Sequence, residues 1–330
     1  METGDDNGSG APDLPSGRRT PVTAPAAAGG AQHEALLYSS AADLAAQLGP
    51  RIGSALAAGD PVIAVVDAPS RAALDAALGP AAADVDFQDP VQVHSVPSFT
   101  VAMRWARLGR RVTEPGRRAT VVGQHIEGLD CDPGHWTRLD IALNVVLDGL
   151  PVDVLCPYRS PDADLPRLHA THPLLFTHLG PEPSPGFRLP HESVIEYPPP
   201  PPVDLGMSDA EMDFDATGLK PVRRRVAGVA DAVGLDADRV DDLVLAVNEI
   251  AANSVEHGPG RGRLRLWITD RQLVAEVSDR GRMDVPFPGM VAPPAAGARG
   301  RGLWLACELC DVLQVWSDER GTILRLMINR

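Results

Sequence analysis

Lysine is nearly missing from this chain. Lys220 stands alone among 30 basic residues, and the rest are arginine. No Gly-x-x-x-x-Gly-Lys-Ser/Thr run exists, so a P-loop with its phosphate-binding lysine is excluded. Aromatic residues make up only 4% of the 330 positions, which leaves alanine, valine and leucine to fill the cores. Four cysteines in a chain this long do not form a disulfide framework. No apolar run approaches the roughly 20 residues that span a bilayer. The opening "METGDDNGSGAPDLPSGRRTPVTAPAAAGGA" has no apolar h-region and so does not read as a secretory signal. The expected location is cytoplasmic. Excess positive charge is lacking too, with a net charge of −14. Residues 213–330 hold 17 acids and 16 bases, so nearly all of the imbalance lies in the first 212 residues. That disfavours a sequence-blind grip on nucleic acid, which needs clustered Lys/Arg to displace counterions, and it disfavours an anionic membrane surface.

What remains is ordinary globular composition, 44% hydrophobic and 22% charged, at a length that suits two domains and linkers. Residues 1–30 are Gly, Pro, Ala, Ser and Asp without periodicity, which predicts a disordered tail. From 31 to 187, valine-rich runs at 61–68, 91–96, 119–126 and 152–158 read as buried strands. Helical patterns at 41–58, 71–78, 98–110 and 135–150 alternate with them. That alternation predicts an α/β domain with a parallel sheet and covering helices. The stretch "EYPPPPPVDLG" then carries five prolines, Pro198 to Pro202, and 188–212 reads as a semi-rigid linker. Beyond it, two helical patterns (220–233 and 238–257) precede strands at 263–270 and 272–280. A Gly/Pro/Ala segment, a helix over 302–309 and two strands around the "ERG" turn follow. The expected architecture of 213–330 is an α/β sandwich with a mixed sheet and its helices on one face.

The second helix of this half reads "LVLAVNEIAANSVEHGPG". Its apolar stripe runs through Val240, Leu243, Val244, Val247, Ala251, Ser254 and Val255. Glu249, Asn253 and His257 follow at i, i+4 and i+8, on one face and away from that stripe. Alone, such a face is an ordinary solvated one, and His257 suits a helix C-terminus, where a cation is favourable. Three later stretches add to it. "VSDRG" places Asp279 at a strand end with Gly281 just after, "GARGRGLWLA" places Gly300 and Gly302 before a helix, and "ERGTILRL" places Thr322 after Gly321.

In this order and at these spacings, the four motifs of residues 213–330 resemble the GHKL (Bergerat-fold, histidine-kinase-like) ATPases. They resemble more closely the anti-sigma-factor serine/threonine kinases of Gram-positive bacteria. The match to Glu-x-x-x-Asn-x-x-x-His-Gly rests on Glu249, Asn253, His257 and Gly258. The resemblance implies ATP and Mg²⁺ as cofactors. Glu249 would be the general base and Asn253 the Mg²⁺ ligand. Asp279 would accept from the adenine amino group, Gly281 would let the backbone approach the base, and Thr322 would offer a hydroxyl on that side. Gly300 and Gly302 would admit the phosphates to the N-terminus of the helix they open. Arg299 and Arg301 flank that box and either contact phosphates or stay solvated. The segment 283–299 would be the ATP lid. Implied partners are a sigma factor, an anti-anti-sigma (STAS) protein as phospho-acceptor, and a second copy of the chain in a homodimer, with no direct contact to nucleic acid. The alternatives are a non-catalytic, nucleotide-tuned sigma-factor-binding module and a degenerate sensor histidine kinase. The second is disfavoured because five prolines follow His191, where a phospho-acceptor helix would have to continue.

Residues 31–187 resemble the MEDS sensory domain, a RecA-like module without a P-loop. The resemblance rests on His33 and Tyr38 before the first helix, on Trp136 and Asn144, on the Cys156-Pro157-Tyr158 turn and on His172-Pro173. His33, Cys131, Cys156 and His172 are widely separated and lack metal-ligand spacing, so the cysteines are expected to act as small hydrophobes. Cys307 and Cys310 form a Cys-x-x-Cys with no second pair and are expected to face a core.

Overall fold

The computed structural model describes residues 30–129, 131–178, 180–293 and 301–330. The expected tail therefore lies outside the described residues. In the first half, β1 (Gln32–Tyr38) leads into α1 (Ala41–Ala57), β2 (Val62–Val65), α2 (Ala68–Leu78) and β3 (Val85–Gln88). Next come α3 (Pro90–His94), α4 (Ser98–Arg111), β4 (Ala119–Gly123), α5 (His135–Val146) and β5 (Val152–Arg159). The half ends with α6 (Leu165–Thr171), β6 (Leu174–Thr177) and β7 (Gly180–Pro183). These strands form one sheet in the order β3-β2-β4-β5-β1-β6-β7. All pairings are parallel except that of β7, which runs antiparallel to β6.

One expected strand is a helix. Residues 90–94 form α3, because Pro90 occupies the first helical turn, where its fixed φ is already correct, and the Asp89 carboxylate accepts the Val91 N–H at 2.9 Å. The capping signal outweighs the valine content. The edge strand β3 and the strand β1 carry too little alternation to stand out. β1 is nearly all buried, with parallel neighbours β5 and β6 on its two sides.

After the short α7 (Pro190–Ser193), the second half runs β8 (Ala210–Asp215), α8 (Leu219–Ala232), α9 (Ala237–Glu256), β9 (Arg261–Ile268) and β10 (Gln272–Asp279). It ends with α10 (Gly302–Leu309), β11 (Val312–Asp318) and β12 (Gly321–Asn329). The sheet order is β11-β12-β10-β9-β8, and every pairing is antiparallel. The expected mixed sheet is thus corrected. β9–β10 and β11–β12 are hairpins, β8 returns to β9 through α8 and α9, and β12 inserts beside β10 after the chain has passed through α10 and the edge strand β11.

The outer face of this second sheet is not bare. Glu276 of β10 lies directly opposite both Arg265 of β9 and Arg325 of β12. Its carboxylate is 1% exposed and ion-paired to both arginines, with Arg325 Nη2 at 2.6 Å. Both guanidinium groups also lie over the Trp267 ring. The proline-rich segment closes over this cluster: Arg325 Nη1 donates to Val203 O at 2.8 Å, and the Trp267 indole donates to Gly206 O at 3.3 Å. The other end of the segment is held to the first half, where Arg138 donates to Pro198 O at 3.0 Å. The prolines extend the chain, and buried arginines fix where it lies.

The two halves also meet directly. Arg110 of α4 pairs with Glu308 of α10 at 2.7 Å, Arg104 donates to Asp311 O at 3.2 Å, and Arg107 donates to Cys307 O. Phe99 packs against Phe287 with ring centroids 6.0 Å apart. Glu276→Ala leaves Arg325 buried without its counter-charge. The expected cost is about 3–5 kcal/mol, read by denaturant unfolding, as for other broken buried pairs; a cost under about 1 kcal/mol would show that the cluster is solvated.

Candidate functional site

Helix α9 begins at Asp236, whose carboxylate accepts the Arg239 N–H at 2.9 Å. It buries Val240, Leu243, Ala246, Val247, Ile250, Ala251 and Ser254. Ala246 and Ile250 widen the stripe read from the sequence. Glu249 and Asn253 therefore sit half-buried on its flank and not opposite it. They face the start of α10. A methyl group placed on Gly302 would lie 2.9 Å from Glu249 Oε2, 3.1 Å from Glu249 Cβ and 3.5 Å from Asn253 Nδ2. Only a residue without a Cβ lets the first turn of α10 approach this pair. His257 is exposed and caps the helix through its backbone N–H, which donates to Asn253 O at 2.8 Å.

At the far side, Asp279 ends β10 opposite Thr322 of β12. Asp279 Oδ1 accepts the Gly281 N–H at 2.6 Å, closing a tight turn. A Cβ on Gly281 would come within 3.3 Å of Gly258 Cα, so this glycine lets the turn pack against the end of α9. Thr322 is buried, and its hydroxyl donates to Gly281 O at 2.8 Å. Ser317 lies 2.9 Å from the Thr322 hydroxyl and accepts the Met283 N–H at 2.9 Å. With the Thr322 proton committed to Gly281, the Ser317 hydroxyl donates to Thr322. Two backbone groups of the turn, Gly281 O and Met283 N–H, are thus tied to the neighbouring strands β12 and β11.

Between these two sides lies a cavity of about 670 Å³, lined among others by Asn253, Asp279, Gly281, Met283, Gly302 and Thr322. That volume is within the range of small-molecule pockets. Glu249 does not line it and lies behind Gly302, which does. Ile250, Leu303 and Leu324 supply apolar wall, and Asn253 and Asp279 add an amide and a carboxylate to the lining. This donor set fits a nucleotide with Mg²⁺: a hard cation is content with one protein oxygen and phosphate oxygens, and a flat base suits an apolar slot.

The structure thus brings together Glu249, Asn253, Asp279, Gly281, Gly302 and Thr322. Arg299 and Gly300 lie outside the described residues. Arg301 is exposed and stands immediately before α10. Of the expected lid, residues 283–293 are described. They are not a cover standing free of the body, since Phe287 and Met290 are buried and Phe287 meets Phe99 of α4. Sequence reasoning missed Ser317. Its signal was the hairpin register around the "ERG" turn, which pairs it with Thr322. Cys307 and Cys310 are buried as expected, and burial pushes both thiols up to about 12. Among the described residues, no helix is long and apolar enough to cross a membrane.

Residues 212–328 match the family described as the histidine kinase-like ATPase domain. Residues 32–173 match the MEDS domain, the methanogen/methylotroph DcmR sensory domain. The serine-protein kinases RsbW of Bacillus thuringiensis (strain Al Hakam) and Bacillus cereus (strain 03BB102) are each 26% identical over the aligned part, which covers 31% of this chain and 72% of theirs. RsbW of Bacillus anthracis (strain CDC 684) is 27% identical, with the same coverage. The crystal structure of the RsbU and RsbW domains of Rv1364c from Mycobacterium tuberculosis aligns at 20% identity and a TM-score of 0.28, over 36% of this chain and 31% of that one. The chain joins a MEDS domain to a histidine kinase-like ATPase domain, the latter similar to the serine-protein kinases RsbW.

Proposed function

We propose that this protein is a cytoplasmic, ATP-dependent regulator of the anti-sigma-factor kinase type. It binds a sigma factor and phosphorylates a serine or threonine of an anti-anti-sigma (STAS) protein, as a homodimer. Residues 213–330 form the ATPase domain, 31–187 the RecA-like sensory domain and 188–212 the linker. The observation that carries this reading is the meeting of Glu249 and Asn253 with Gly302 at the edge of the cavity. A carboxylate and an amide one helical turn apart lie beside the N-terminus of a second helix, whose free N–H groups are suited to phosphate.

In this reading Asp279 Oδ2 accepts from the adenine amino group, since Oδ1 is taken by Gly281. Thr322 acts mainly by holding the Asp279 turn in shape, and Gly281 keeps the backbone low beneath the base. Asn253 supplies an amide oxygen to Mg²⁺, which neutralises phosphate charge. Gly300 and Gly302 admit the phosphates, with Arg299 and Arg301 beside them. Glu249 takes the proton of the acceptor hydroxyl as its oxygen bonds to the γ-phosphorus and ADP departs.

Three variants separate the roles. Asn253→Ala and Asp279→Ala are expected to abolish ATP·Mg²⁺ binding by calorimetry at wild-type working concentrations, with unchanged circular dichroism. Glu249→Gln is expected to keep ATP affinity within a few-fold while γ-phosphate transfer to the STAS substrate falls by about 10²–10⁴. Tight binding with no transfer by the wild type would leave a nucleotide-tuned binding module instead. No binding by the wild type would remove the kinase reading altogether.

The sensory domain controls the site through α4, which holds both the described lid residues and α10. Phe99→Ala and Arg110→Glu loosen that hold. Each is expected to change the nucleotide dissociation rate by about fivefold or more, a typical coupling magnitude. Unchanged release of a fluorescent ATP analogue from both variants would make the α4 contact a passive one.

A further inference from the structure

Four chemistry-bearing side chains outside the nucleotide cavity converge in the sensory domain. His33 is on β1, and Cys156 lies two residues beyond its β5 partner Val154, so both point to the same side of the parallel pair. Asp140 comes from α5 and His172 follows α6. All four are buried, and one donor atom from each lies within 4.8 Å of every other. Cys131, grouped with the other three on sequence grounds, is not part of the cluster, and Asp140 takes its place.

The hydrogen bonds around the cluster set the identity of the inward-facing atoms. Asn144 Nδ2 donates to Asp140 O and Thr171 O, so its Oδ1 is an acceptor and His33 Nδ1 must carry the proton that meets it at 2.9 Å. The lone pair of His33 is therefore on Nε2, 3.4 Å from Cys156 Sγ. His172 Nδ1 donates to Leu168 O at 3.1 Å, which places its lone pair on Nε2 as well. That Nε2 is buried with no hydrogen-bond partner, 3.7 Å from Asp140 Oδ1. The Tyr158 hydroxyl donates to the other oxygen, Oδ2, at 2.5 Å. Each inward atom is an acceptor or a thiol, and the outer atom of each imidazole and of the carboxylate is held by a partner. An apolar core gains nothing from this arrangement, because an unmet buried acceptor costs about 1–3 kcal/mol. Metal ligands are oriented in this way, with the far ring N–H of histidine on a carbonyl or amide oxygen.

We propose that His33 Nε2, His172 Nε2, Cys156 Sγ and Asp140 Oδ1 bind one borderline divalent transition-metal ion, of which Zn²⁺ is the commonest. The mixed nitrogen, sulfur and oxygen set and the count of four suit a closed tetrahedral site, and they disfavour Mg²⁺ or Ca²⁺, which take oxygen. Two neutral imidazoles, one thiolate and one carboxylate balance the charge of a divalent cation. Bonds of about 2.0–2.3 Å require the donors to close to roughly 3.5 Å from one another. The His33–Cys156 edge already has that length, and the remaining adjustment is side-chain movement. The histidine and cysteine spacing could not disclose the site, since the donors come from two strands, a helix and a helix end.

The test uses the full chain, stripped with a chelator and titrated with Co²⁺, then with Zn²⁺. The expected result is about one Co²⁺ per chain, with tetrahedral d–d bands and a thiolate-to-cobalt charge-transfer band, all lost on adding Zn²⁺. The charge-transfer band is expected to vanish in Cys156→Ser and to survive in Cys131→Ser, Cys307→Ser and Cys310→Ser. His172→Gln is expected to weaken Co²⁺ binding by at least about tenfold. The thiolate band separates this site from any cation bound at the nucleotide cavity. If the variants fail to fold, the wild-type spectrum decides. No binding at micromolar Co²⁺, a spectrum without the thiolate band, or a band that survives Cys156→Ser would each overturn the assignment.

Discussion

The close approach of α10 to α9 at Gly302 is the contact on which the rest of the C-terminal site depends. It places the N–H-bearing end of a short helix against Glu249 and Asn253. An eight-residue helix has little stability of its own, because nucleation is costly and few bonds repay it. Its position must be imposed from outside. The opposite end of α10 is where that happens: Arg239 of α9 donates to Leu309 O at 3.0 Å and pairs with Asp311 at 2.5 Å, and Arg107 of α4 meets Cys307 O. Cationic donors on the last carbonyls satisfy orphan acceptors and favour the negative end of the helix dipole. One helix thus has its N-terminal end fixed by a missing side chain and its far end fixed by arginines from both halves.

This explains why the arginine-for-lysine bias has structural consequences. The guanidinium fork reaches carbonyl and carboxylate groups at once, which a point-charge ammonium does less well. Arg239, Arg107, Arg118 and Arg325 each serve more than one partner at a boundary between elements. The proline-rich segment gains its path in the same manner. Polyproline backbone has unpaired carbonyls by construction, and Arg138 and Arg325 use two of them, at Pro198 and Val203, to hold the segment against both halves.

Local signals in the sequence carried much of this fold. The 3.6-residue stripe of α9, the Gly-x-Gly before α10 and the glycine-bearing turn before β12 each act over a few residues, and each placed its element correctly. What failed was either one local signal outweighed by another or a feature that depends on partners distant in sequence. Residues 91–96 look like a strand by valine content, yet the Asp89–Pro90 cap starts a helix there. The direction of the C-terminal strands could not be read, because pairing is a long-range property. β1 went unseen because a strand between two parallel neighbours has no polar face to alternate. The same limit applied to the candidate site. Glu249, Asn253, Asp279, Gly302 and Thr322 sit within short motifs and could be grouped from sequence, whereas Ser317 becomes visible only through hairpin register.

The sensory half shows the converse case, in which residue types were visible and their combination was not. Asp140 and Asn144 are one helical turn apart on α5, an unremarkable pair until β1, β5 and the end of α6 bring His33, Cys156 and His172 to the same face. Polar residues this deeply buried must repay their desolvation through mutual contact or through a ligand. Most of them do so by hydrogen bonds here; the His172 Nε2 does not. The surrounding belt of His125, Tyr158 and Trp136 in ring contact reinforces the rigidity of that region. Because α5 packs beside α4, and α4 in turn bears on α10, the two polar centres are linked by continuous packing. Contiguity alone does not transmit a signal. It does require that any rearrangement of α5 be absorbed either within the close-packed core of the first half or at the arginine-lined surface of α4 that bears on α10.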